Sequence, residues 1–467
     1  MASYKYEALS AQDNSFLLIE SPTLHMHVSS IQIFDVGPLA TEEGGVDVDS
    51  IKRFTESVLF RIPRYRQKLR YIPFENTPVW VDDAHFRIDY HIRHTSLPRP
   101  GTEAQLKEVA ARIQAQQLDR KRPLWEIWVV EGLEGGRFAL ISKIHHCMID
   151  GSSGVDISQI LQSPTPDREI KEAPVFRPRP SPSPSELLVG TWRERMGLPS
   201  RIIEGVRDFG NETENLGEEL RVRMNAITDM YAAQGRKSSE TPINGTLGPH
   251  RSFEWMRMSL DDIKKVRRSL GCTLNDVVLT VLTGAFRDYL IHRRVDIRNL
   301  EFRAQTPVSV RSEKERGQLG NRISSWLVDL PVDEADPLKQ VARIHAATQE
   351  LKESRQALGV DMMMKAMSVM PTSLMSLGVQ AASGSMSTLV TNVPGPQFPL
   401  YLLGAEMLEM FPAVPLLQNV GVGVALISYN GRLCWGFNAD SELVPDLGDF
   451  VAMVGTAYER VAAAAKN

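Results

Sequence analysis

Apolar and polar positions alternate along Met26 to Phe34 (MHVSSIQIF), the pattern of a strand with one buried face. Asp47 to Phe60 switches to helical spacing, and a basic stretch from Arg61 to Arg70 follows. Leu124 to Val130 (LWEIWVV) and Phe138 to His146 (FALISKIHH) are two more strand-like runs. The Gly-rich segment Glu131 to Arg137 between them predicts a hairpin. Alternation on the second run puts Phe138, Leu140, Ser142, Ile144 and His146 on one face, with Ala139, Ile141, Lys143 and His145 on the other. Two adjacent histidines therefore face apart, and helix-like spacing follows from Val155 to Leu161.

From Gln162 to Pro184 the pattern dissolves into prolines, at 164, 166, 174, 178, 180, 182 and 184, which predicts an extended, semi-stiff linker. A charged helical stretch, Ser185 to Ala233, reads as an amphipathic crossover helix. Periodicity returns near Asn244, with helices over Leu260 to Leu270 and, after Thr273, over Asn275 to Leu290. Strands are predicted over Arg303 to Val310, Ile323 to Leu330, Thr388 to Val393, Val420 to Tyr429 and Arg432 to Phe437. Asn430-Gly431 between the last two is a strong tight-turn signal. The expected division is an N-terminal domain over 1–165, a linker and crossover helix over 166–240, and a C-terminal domain over 241–467, both domains α/β.

A length of 467 residues favours two cores over one, and 42% hydrophobic with 24% charged residues is ordinary for a soluble globular protein. The formal net charge of -4 argues against a nucleic-acid partner while leaving room for a local basic patch. Three cysteines, Cys147, Cys272 and Cys434, are too few and too scattered for a disulfide framework or a zinc site. With no apolar N-terminal run and no window of about eighteen apolar residues, the expectation is a cytoplasmic protein that meets a membrane only at its surface.

The chemistry concentrates in His145-His146-Cys147-Met148-Ile149-Asp150-Gly151. A hydroxyl must lose its proton as it attacks a thioester, and a neutral imidazole suits that task near pH 7. The resulting oxyanion needs a hydrogen-bond donor, whereas a thiolate leaves without strong acid assistance. Gly151 permits a sharp turn, and Asp150 can fold back on an arginine to fix the loop. Metal binding by the histidine pair lacks a third ligand at suitable spacing. A Cys147 nucleophile served by His146 is disfavoured because neighbours on a strand point apart.

His-His-x-x-x-Asp-Gly resembles the signature of the CoA-dependent acyltransferase superfamily. Over nearly its full length the chain resembles the bacterial wax ester synthase/diacylglycerol acyltransferase family. The matching pieces are Leu9-Ser10-Ala11-Gln12-Asp13 with Phe16-Leu17, Pro123-Leu124-Trp125-Glu126, the histidine motif, Asn275-Asp276-Val277-Val278, Pro307 to Arg311, Leu319-Gly320-Asn321 and Asn392 to Pro396. The resemblance implies two chloramphenicol-acetyltransferase-like domains, each a mixed sheet with flanking helices, enclosing a tunnel. It implies His146 as general base, a mainly structural Asp150, and Asn275 and Asp276 near the active site. The implied substrates are a long-chain acyl-CoA and either diacylglycerol or a fatty alcohol, with no cofactor beyond CoA as part of the donor. It also suggests peripheral attachment to the inner face of the plasma membrane and to lipid droplets. Two alternatives are a carrier-fed condensation-type or polyketide-associated acyltransferase and a non-catalytic lipid-droplet protein.

Other residues carry two readings each. Asn275 and Asp276 can cap the helix after Thr273, and a donor there can also steady an oxyanion. Arg311 can pair with Asp150 or stand exposed. Asn392 and the following Val-Pro-Gly-Pro form a rigid turn that shapes the crossover between domains. Arg61, Arg64, Arg66, Lys68 and Arg70 can receive CoA phosphates or form a solvated face. The methionines at 362, 363, 364, 367, 370 and 375 suit an adaptable acyl-chain surface, a helix core or an amphipathic membrane contact.

Overall fold

Two six-stranded mixed sheets carry the fold, with a small three-stranded sheet beside the first. The computed structural model describes residues 6–148 (except 76), 160–189, 238–309, 323–353 and 386–466. Its strands are β1 (Glu7–Ala8), β2 (His27–Asp35), β3 (Gln67–Tyr71), β4 (Pro78–Asp82), β5 (Ile92–Ser96), β6 (Trp125–Leu133), β7 (Arg137–His145), β8 (Arg251–Ser259), β9 (Arg303–Ser309), β10 (Ile323–Asp329), β11 (Thr388–Pro394), β12 (Tyr401–Leu402), β13 (Ala405–Ala413), β14 (Val422–Tyr429) and β15 (Arg432–Asp440). The described helices are α1 (Ala11–Ile19), α2 (Val48–Val58), α3 (Ile88–His91), α4 (Glu103–Gln114), α5 (Leu260–Ser269), α6 (Leu274–His292), α7 (Pro337–Glu353) and α8 (Leu447–Ala464). The expectations for residues 155–159, for most of Ser185 to Ala233 and for the methionines at 362–375 lie outside the described residues.

The first sheet runs β12-β13-β2-β7-β6-β5 and the second β10-β9-β11-β14-β15-β8. The Gly-rich connection does make the antiparallel β6–β7 hairpin, and Asn430-Gly431, both at positive φ, closes β14–β15. Alternation on β7 divides as its sequence dictates. Phe138, Leu140 and Ile144 join one core with Trp125, Ile127 and Val129, while Ala139 and Ile141 pack on the other face against α4 residues such as Leu106 and Ala110. The second core wraps α6, whose Val277, Val281, Ala285 and Phe286 are all buried, against β14, β15 and α8.

Two strands cross the expected division at residue 241. Tyr401–Leu402 and Ala405–Ala413 leave the second half and add to the first sheet, where β13 pairs antiparallel with β2. A register shift between Met407 and Glu409 turns β13 over, so Met407 completes the core on one face of that sheet and Phe411 the core on the other. Neither strand is among those predicted from the sequence, and local periodicity does not reveal which sheet accepts a segment. Where the halves cross, β15 lies so close to β13 that a Cβ at Gly436 would stand 1.8 Å from the Pro412 carbonyl oxygen. Only glycine fits there. Polar links cross the same boundary: Trp255 Nε1 donates to Glu103 at 3.1 Å, and Arg257 pairs with both Glu103 (2.8 Å) and Glu409 (2.5 Å).

Candidate active site

Strand β7 ends at His145, one residue earlier than the alternation predicts, and His146 opens a 3-10 turn, His146–Met148. The face of His146 is therefore set by the turn and not by the strand. The turn is held from both sides, since the His145 N–H donates to the Leu124 carbonyl at 2.9 Å and the His146 N–H to the Met26 carbonyl at 2.7 Å. The two imidazoles still separate. His145 lies 3.2 Å from Glu20 and edge-on to His27, its partner across the β2–β7 ladder.

His146 instead stacks on Phe16 of α1, with ring centroids 4.0 Å apart. This gives the N-terminal motif a physical role. Ser10 caps α1 by accepting the Asp13 N–H, and the helix so started delivers Phe16 to the histidine. The side chain of His146 keeps partial exposure, but its Nδ1 is buried without a hydrogen-bond partner. Burial pushes the imidazole down to about 4, weakly opposed by its own backbone and reinforced by His145, so the ring is neutral near pH 7. Burial likewise pushes the Cys147 thiol far up, and its N–H is spent on His145 Nδ1 at 3.1 Å. A protonated, enclosed thiol is not a nucleophile.

Pro123-Leu124-Trp125-Glu126 serves as scaffold beneath the turn. Trp125 Nε1 donates to the Tyr65 carbonyl at 2.8 Å, and its ring stacks on His91 at 4.4 Å. Glu126 holds the fully buried Lys143 at 2.6 Å, whose ammonium also donates to the carbonyls of Ile113 (2.8 Å) and Gln116 (2.9 Å) at the end of α4. A buried cation with all its donors placed is a structural element. Three cations of the basic stretch are likewise committed to the fold, whereas Arg61 is exposed. Arg64 pairs with Glu7 at 2.6 Å, Arg66 donates to the Glu56 carbonyl, and Lys68 pairs with Asp83 at 2.8 Å.

In the second half, Thr273 caps α6 through a capping box with Asp276, so the capping reading holds for Asp276 but not for Asn275. Asp276 does more than cap. Its buried carboxylate takes His345 Nδ1 at 2.7 Å and the Thr348 hydroxyl at 2.8 Å, both from α7. Burial pushes this carboxyl up, but the bonds from His345, Thr273 and Thr348 outweigh it and lower its pKa. Asn392 Nδ2 donates to Asn275 Oδ1 at 2.7 Å. Asn392 through Pro394 belong to strand β11, pairing with Leu426 through Ser428, so the rigid turn begins only after them. Asn275, Asp276, Thr306, Trp326, Thr348, Lys352, Asn392 and Ser428 line a cavity of about 360 Å³ at this helix start.

The structure thus brings Asn275, Asp276 and Asn392 together around one cavity, and His145 and His146 together at one turn. Among the described residues no hydrogen bond or ring contact joins the two groups. Asp150, Gly151 and Arg311 lie outside the described residues. No group of three metal-ligating side chains occurs among the described residues. Sequence reasoning passed over Glu20, His27 and His345; His345 sits four residues from Gln349 on a helix whose register gave no reason to single it out.

A family model for the wax ester synthase/diacylglycerol acyltransferase catalytic domain matches residues 9–278, and one for its C-terminal domain matches 319–461. The chain belongs to this acyltransferase family. A probable diacylglycerol O-acyltransferase of Mycobacterium tuberculosis is 29% identical over 98% of this chain and 96% of its own length. A second, putative one from the same species is 30% identical over 94% and 87%. The wax ester synthase/diacylglycerol acyltransferase from Marinobacter aquaeolei VT8 superposes with a TM-score of 0.70 at 23% identity, covering 99% of this chain and all of that one. The first condensation domain of the calcium-dependent antibiotic synthetase shares the fold at a TM-score of 0.58 and 15% identity, with 98% and 97% coverage. Both parts of the family, catalytic and C-terminal, are therefore present in one chain.

Proposed function

We propose that this acyltransferase moves a long-chain acyl group from acyl-CoA to the free hydroxyl of diacylglycerol, with His146 as general base. A neutral imidazole with a buried, unpartnered Nδ1, fixed by the Phe16 stack and the Met26 carbonyl, carries this reading. In the ternary complex the hydroxyl gives its proton to His146 as its oxygen attacks the thioester carbonyl. Collapse of the tetrahedral intermediate breaks the carbon–sulfur bond, and the proton on His146 passes to the departing thiolate. No acyl-enzyme forms.

The cavity at the α6 start supplies the complementary half. Asn392 occupies the carbonyl oxygen of the Asn275 side chain, leaving its NH2 as a donor of the kind an oxyanion requires. A fatty alcohol can take the place of diacylglycerol, since the relatives named for both acceptors share this fold. The acceptor is a membrane lipid, so the proposal includes peripheral attachment to the inner face of the plasma membrane and to lipid droplets. Among the described residues no single helix is long and apolar enough to cross a membrane.

The test is turnover of radiolabelled palmitoyl-CoA with diolein and, in parallel, hexadecanol. His146→Ala should lower kcat by about 10³-fold with an unchanged melting temperature. Undiminished turnover in that variant would refute the base assignment.

A further inference from the structure

Glu20 is the C-cap residue of α1, and its side chain is only 1% exposed. Groups from three further segments converge on its carboxylate. Arg120 Nη2 lies 2.6 Å and Gln117 Nε2 3.2 Å from Oε2, both in the segment after α4. The Met26 N–H donates to Oε1 at 3.1 Å, ahead of β2. His27 Nε2 of β2 stands 3.5 Å from Oε1, and His145 Nε2 of β7 stands 3.2 Å from it. The two histidine contacts are off the line of a good hydrogen bond, so their pull is mainly electrostatic.

Each of these partners leads on to the turn that carries His146. Met26 turns its carbonyl to the His146 N–H at 2.7 Å. Arg120 also donates to the Leu17 carbonyl at 2.9 Å, next to the Phe16 that stacks on His146. The Cys147 N–H donates to His145 Nδ1 at 3.1 Å. An amide N–H can only donate, so His145 Nδ1 carries a lone pair and the proton of the neutral ring sits on Nε2, facing Glu20. We infer that Glu20 is a positioning residue for acyl transfer, holding the backbone of His146 through Met26 and complementing the Nε2–H that the Cys147 N–H imposes on His145.

The inference rests on the reading of His146 as base. Burial pushes the Glu20 carboxyl up, but the facing Nε2–H of His145 and the Arg120 guanidinium outweigh it and keep it ionised. The other titratable groups around it are His25, stacked on His27 at 5.4 Å, the buried Lys143 and the Cys147 thiol. A glutamate that served only to anchor Arg120 would need none of the histidine contacts.

The experiment uses the full chain labelled with 15N-histidine, with His145→Asn assigning the resonance. Wild-type His145 should appear as the Nε2–H tautomer, with Nδ1 accepting; an Nδ1–H tautomer overturns the proposal. Glu20→Gln keeps an oxygen for Met26 and removes the charge. It should lower kcat about 100-fold while KM moves less than about threefold, and wild-type kcat in the folded variant overturns the proposal. The double variant Glu20→Gln/Arg120→Gln removes both charges and should regain melting temperature without regaining kcat. Joint recovery of both would make Glu20 merely structural. If Glu20→Gln does not fold, the double variant decides; if neither folds, the wild-type tautomer does. Full activity in His146→Ala, run beside them, overturns the base assignment alone, because the His145 tautomer is read without turnover.

Discussion

The histidine turn and the start of α6 solve different problems by different means. His146 is held by elements far from it in sequence: Phe16 on α1 and Met26 ahead of β2, itself bonded to Glu20. The α6 start is held first by its own cap, Thr273 with Asp276, and only then by His345 and Thr348 from α7. A side chain proposed to exchange a proton needs its surroundings fixed in three dimensions, because its tautomer and basicity depend on them. A helix terminus already offers oriented N–H groups, so a local cap is enough to present them.

That contrast can be broken most sharply at His146. Its replacement by alanine should cost about 10³-fold in kcat, whereas no single change at the α6 start should approach this. The pH dependence sharpens the same point. Because burial lowers the His146 pKa to about 4, the folded ring stays neutral down to that region. The acid limb of kcat/KM should therefore fall near pH 4 instead of near the usual histidine value of about 6.5. An acid limb at the ordinary value, measured in short assays on folded enzyme, would show that the resting environment does not govern the base.

Asp276→Ala should act mainly on stability. It removes the capping-box partner and strands His345 and Thr348, a loss of about 2–3 kcal/mol visible as a lower melting temperature. The folded pKa of Asp276 lies below its unfolded value. Its contribution is thus present above an unfolded pKa of about 3.9 and disappears as pH falls through the folded one. Equal melting temperatures for wild type and variant at pH 7 would remove the proposed coupling of α6 to α7. Asn392→Ala should have the smallest effect, about tenfold on kcat with little change in stability, since it only orients the Asn275 amide. An effect confined to KM would assign Asn392 to binding instead.

Much of this was legible in the chain. The β6–β7 hairpin announces itself by its glycines, β14–β15 by Asn430-Gly431, and α6 by Thr273 and its apolar spacing, because each signal is local. The histidine motif was legible because two adjacent imidazoles at a strand end are rare chemistry in one place. Glu20 was not, since an isolated glutamate looks like any surface charge until Arg120 and His145 close around it. His345 was hidden for the same reason on α7. The transfer of β13 to the first sheet was invisible because strand pairing partners are chosen by the whole fold.

That transfer has a consequence for how the molecule comes into being. During synthesis, β2 emerges early and pairs with β7, but its other edge has no partner until residue 413 has left the ribosome. An unpaired edge bearing Ile31 and Ile33 is a natural point for wrong pairing between nascent chains. The first half therefore matures only together with the second: expressed separately, it would lack β12 and β13, two strands of its own sheet.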